Sequence, residues 1–158
     1  MKDAVRAEID EVIKQLNFDK EQIKEVGKNL WKGIIKNIED TFVNWKGHSS
    51  FWYWEYFNDG FSIDYPNNDA YKDLSKLIDD TEKVWFLAQE DREEPKFWLF
   101  EGQIKPIQTV LENSSMFEYY IVSKKYLWLL CENHHGYLIG TGEQMIEKLK
   151  KLSKQVNR

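Results

Sequence analysis

From Val84 to Gly142 the apolar residues fall in short runs, VWFLAQ, KFWLFEG, FEYYIVS, YLWLLCE and YLIGTG, separated by polar, proline-containing or glycine-containing segments. Aromatic and β-branched side chains suit a pleated surface, and runs of this length with turn signals between them predict strands. The second half of the chain therefore reads as a meandering antiparallel sheet. The segment EDREEP, residues 90–95, is the solvated connection between the first two strands, since Pro95 lacks the N–H that a ladder uses. A brief helix near Pro106 to Asn113 precedes a hairpin of FEYYIVS and YLWLLCE, and residues 133–136, NHHG, lead into the last strand.

The remaining segments supply helices to cover that sheet. Val5, Ile9, Val12, Ile13 and Leu16 recur at helical spacing with charged residues between them, which makes one inward stripe. A second helix is predicted from Asp19, with Gln22 as its capping-box partner and Phe18 stapling onto Ile23. Its inner face would be Ile23, Val26, Leu30, Ile34 and Ile38, forming a helical hairpin with the first. Gly27 and Gly33 each weaken it by roughly 1 kcal/mol, so tertiary packing must hold it. FWYWEYF, residues 51–57, reads as a strand paired with Phe61–Tyr65 across Asn58–Gly60. Asn67 or Asn68 would cap a short helix burying Tyr71, Leu74, Leu77 and Ile78. Thr141 with Gln144 would cap a final helix facing inward through Met145, Leu149, Leu152 and Val156. The sum is a single α+β domain over residues 1–158, with an N-terminal helical hairpin and a C-terminal helix packed on a mainly antiparallel, aromatic-rich β-sheet.

Charge and composition narrow the function. Of the 158 residues 31% are charged, and no apolar stretch approaches the roughly 18 residues that span a bilayer. No apolar run follows Met1 and the chain has one cysteine, so a cytoplasmic location without disulfides is expected. A formal net charge of −5 disfavours nucleic acid, whose binding depends on cations displacing phosphate counterions, and favours a basic protein partner. Aromatic residues make up 15% of the chain, including seven Trp, and must line either a core or a recognition site. Within 51–57, strand geometry would put Trp52 and Trp54 on one face, where they could stack on a flat ligand.

The segment LLCENHHGYLIG, residues 129–140, holds the lone cysteine and two of the three histidines. On a straight strand Cys131 and His135 would lie about 13 Å apart at roughly 3.3 Å per residue, too far to form a nucleophilic pair. A turn suits NHHG better, with Asn first, Gly fourth and both imidazoles at the surface. Cys131 then reads as a small buried hydrophobe beside Leu129. Zinc needs about four ligands, and no CxxC or HExxH spacing assembles them, so neither a metal nor a cofactor is expected. The run EYYIVSKKYLWLLCENHHGYLIG, residues 118–140, resembles the C-terminal part of small bacterial proteins of unknown function. Some of these are similar in size and acidity to immunity proteins that neutralise cognate toxins. Together with the chain's acidity and its lack of catalytic motifs, that resemblance points to a noncatalytic protein-binding domain. Its candidate partner-binding residues are Glu90, Asp91, Glu93, Glu94, Glu132, His134, His135, Trp52 and Trp54, and no residue is assigned a catalytic role. Two alternatives stay open: a small hydrolase or metal-dependent enzyme using Glu132, His134 and His135, and a Trp-lined binder of carbohydrate or single-stranded nucleic acid.

Overall fold

A computed structural model describes residues 3–45, 47, 52–90 and 96–156. The expected meander is present: β3 (Lys83–Gln89), β4 (Phe97–Gln103), β5 (Tyr119–Ser123), β6 (Leu129–Glu132) and β7 (Tyr137–Thr141), with α4 (Ile104–Glu112) between β4 and β5. Two short strands extend it, β1 (Ile23–Glu25) on β4 and β2 (Phe61–Asp64) on β7. The result is a seven-stranded antiparallel sheet in the order β1-β4-β3-β5-β6-β7-β2. Register is fixed at its centre, where Phe86 of β3 lies opposite Phe100 on one side and Ile121 on the other.

Side chains alternate across a sheet, and here both faces are covered. Phe86, Phe100, Tyr119, Ile121 and Leu130 belong to a core shared with α1 (Ala4–Gln15), α3 (Leu74–Leu77), α4 and α5 (Glu143–Val156). Leu87, Leu99, Tyr120, Val122 and Leu129 meet α2 (Lys28–Phe42) on the other face, through Ile34, Ile38 and Phe42. Burial on both sides explains why these strands read as nearly continuous apolar runs; every residue of β5 is buried.

The α+β class, the antiparallel aromatic sheet and the C-terminal helix packed on it are all found, and the first half of the chain departs from expectation in three places. The N-terminal helices form no hairpin, because β1 separates them and they lie on opposite faces of the sheet. The capping box at Asp19 does close: its Oδ1 accepts from Glu21 N and Gln22 N at 2.9 Å, and Gln22 Oε1 accepts from Asp19 N at 2.9 Å. No helix follows, because Ile23 pairs instead with Gly102, where a Cβ would stand 2.6 Å from Gln22 O. Only glycine lets the two backbones approach so closely. The helix begins at Lys28 with Gly27 as N-cap, and Leu30, expected inside, is 58% exposed.

Phe51 lies outside the described residues, and over residues 52–57 the aromatic run is not a strand. Residues Tyr53–Tyr56 make a 3₁₀ turn that lays buried Tyr53 over the sheet, 5.1 Å from the ring of Phe97 and 5.4 Å from that of Tyr120. The Tyr53 hydroxyl donates to Glu39 Oε2 at 2.6 Å, so the turn is tied to α2, and β2 is left to pair with β7. Residues near 70 begin with a 3₁₀ turn, Ala70–Asp73, rather than with an Asn cap; Asn68, at φ 56°, instead donates its N–H to Tyr65 O. Finally, Thr141 gives its hydroxyl to Asp59 Oδ1 rather than capping α5. Among the described residues no helix is long and apolar enough to cross a membrane.

Candidate functional site: a histidine, carboxylate and tryptophan cluster at one end of the sheet

The chain reverses between β6 and β7 as the sequence suggested. Gly136 N donates to Asn133 O at 3.0 Å, and Asn133 Oδ1 accepts from His135 N and Tyr137 N, both at 3.0 Å. Gly136 has φ 80°, and a Cβ there would meet Tyr65 O at 2.7 Å, so glycine is required twice over. The turn brings the two imidazoles together, with ring centroids 4.0 Å apart.

The 3₁₀ turn carries Trp52 and Trp54 onto these rings. Trp52 lies 5.2 Å from His134, while Trp54 lies 6.0 Å from His134 and 5.9 Å from His135. At the base sits Glu118, immediately before β5 and 8% exposed. Its Oε2 contacts His134 Nδ1 at 2.8 Å and accepts from His134 N at 3.3 Å; its Oε1 accepts from Trp54 Nε1 and, at 3.3 Å, from the Tyr120 hydroxyl. A neutral His134 donating from Nδ1 leaves its Nε2 as an acceptor.

The carboxylate beside the histidine is thus Glu118 and not Glu132. Glu132 opposes Tyr119 in register and shares its face, whereas Glu118 lies with Tyr120 on the opposite one. Glu132 is buried, accepting from the Tyr119 hydroxyl at 2.6 Å and Ala70 N at 3.2 Å, and burial pushes its carboxyl above the usual range. The trio of Glu132, His134 and His135 is therefore split between two faces. A glutamate inside the apolar run FEYYIVS was the one available signal for Glu118, because a buried carboxylate needs donors around it. His135 is exposed as expected, but His134 is half-buried, its side chain 19% accessible.

Glu90 also turns inward. At 8% exposure it accepts from Val5 N at 3.1 Å, at the start of α1, and from Trp98 Nε1 at 2.7 Å. Its negative charge complements the positive end of that helix. Asp91, Glu93 and Glu94 lie outside the described residues. Cys131 is fully buried beneath the cluster, and burial, followed by the nearby Glu118 charge, raises its thiol well above the ordinary value. Among the described residues no three His, Cys, Asp or Glu side chains gather as a metal site would require.

Clefts flank the cluster on either side. One, of about 410 Å³, is lined by Val5, Trp52, Glu90, Phe117, Glu118 and His134 among others. The second, of about 540 Å³, is lined by Ser62 of β2 and by Tyr137 and Ile139 of β7, with Trp54, Asp59 and His135. A third, of about 200 Å³, reaches Glu132 and Tyr119 from the other face.

These features define an α+β protein whose doubly covered antiparallel sheet ends in a carboxylate, imidazole and indole cluster set between clefts. The chain belongs to a family of unknown function (DUF6756), which it matches over residues 1–153. No curated protein and no solved structure matches it.

Proposed function

We propose that this chain is a noncatalytic protein-binding domain, immunity-like in role, that occludes a basic bacterial toxin with the aromatic and acidic end of its sheet. The observation that carries the reading is the placement of Trp52, Trp54, His135 and Tyr137 around two clefts on a chain of formal charge −5. Aromatic side chains supply large contact area at low entropic cost, and a negative field steers a basic partner into register. Glu118 and His134 act here as the frame of that surface, since the carboxylate fixes the imidazole and the Trp54 indole together. Asp91, Glu93 and Glu94 follow Glu90 in the chain and contribute to its net negative charge.

Co-expression with a toxin encoded beside its gene is expected to restore growth, and the purified pair to associate at low salt. Association should slow steeply as ionic strength rises, because exposed charges are screened beyond about 10 Å at 0.1 M. Absence of any complex with the neighbouring gene product at low salt would remove the reading.

A further inference from the structure

We propose that the cleft between the start of α1 and β5 receives the cationic end of a lysine or arginine side chain. Its source is the basic partner of the reading above, on which this inference rests. The cleft's lining has two chemistries. Val5, Phe117 and the indole of Trp52 offer apolar and aromatic walls for a side-chain stem, while the carboxylates of Glu90 and Glu118 lie among them. Among the described residues no Lys or Arg lines the cleft, and neither carboxylate is within ion-pair distance of one. Two described cations nearby are committed elsewhere: Arg6 and Lys96 flank the Trp98 ring and pair with Glu25 and Asp3 respectively.

An aromatic face beside carboxylates favours an ammonium or guanidinium over a neutral group, through ring quadrupole and charge together. The volume, about 410 Å³, falls within the range of small-ligand sites, roughly 300–1,000 Å³. A neutral sugar could stack on Trp52 and donate hydroxyls to the carboxylates, but it brings no positive charge to offset the two negative ones.

The test uses three capped tripeptides, centred on lysine, on arginine and on norleucine, titrated into the full chain while NMR follows the Trp52 indole N–H and the His134 ring. Saturable shifts are expected with the lysine or arginine peptide at about millimolar affinity, and at least tenfold weaker ones with norleucine. Ala4 is exposed at the cleft rim, so Ala4→Phe fills the opening without touching either carboxylate and should abolish the shifts with thermal stability retained. Equal binding of norleucine, or no saturable shift with either cationic peptide, overturns the assignment. Peptide binding without growth rescue would sink the toxin reading and leave the cation site standing. Rescue and partner affinity unchanged in Ala4→Phe would do the reverse.

Discussion

Glu118 is the residue on which the sheet end turns, because four donors from Trp54, Tyr120 and His134 converge on one buried carboxylate. Replacing it by alanine leaves those groups without their acceptor. We expect Glu118→Ala to destabilise the fold by about 1–3 kcal/mol in urea unfolding, and to shift Trp emission as Trp54 loosens. Glu132, on the opposite face, supplies a contrast in pH. Its carboxyl is raised by burial, so above the ordinary value of 4.5 the folded state keeps a proton that the unfolded chain has released. Stability then falls as pH climbs from that point through the raised value. Glu132→Gln keeps an acceptor for Ala70 N and removes the titration, so its Tm should gain on the parent's as pH rises above 4.5; a constant difference across pH would contradict this. The imidazole turn was legible from NHHG alone, whereas the identity of its carboxylate partner was not. One step in strand register decides whether Glu118 or Glu132 shares a face with His134.

At the scale of elements, local signals were satisfied without producing what they usually announce. The capping box at Asp19 forms every bond expected of it, yet the chain enters β1 because Gly102 admits a strand there. Gly102→Ala should push β1 off the sheet edge, costing about 1–3 kcal/mol and exposing to hydrogen exchange the Val26 amide, which donates to Leu99 O, and the Gln103 amide, which donates to Gln22 O. The phase of α2 is testable in the same way. Leu30, on the predicted inner stripe, is exposed, so Leu30→Gln should change stability by less than about 0.5 kcal/mol, while Ile38→Ala, fully buried, should cost about 2–5 kcal/mol. Comparable losses at both positions would contradict the arrangement. Ile34 and Ile38 were correctly placed by periodicity, since the true helix shares the expected one's phase from Lys28 onward apart from its first turn.

For the molecule as a whole, the sequence alone determined the meander from β3 to β7 and the helices α1, α4 and α5. Their apolar spacing is a local property, and turn residues such as those of NHHG mark the reversals between strands. Only tertiary structure decided which strands close the two edges, that α1 and α2 occupy opposite faces, and that Tyr53–Tyr56 becomes a turn over the sheet. Those outcomes depend on pairings between residues far apart in the chain, Ile23 with Gly102, Tyr53 with Tyr120, Trp54 with Glu118. A local pattern carries no record of such distant partners. The clustered site is assembled from the same long-range contacts, which is why its histidines could be read from the sequence and their setting could not.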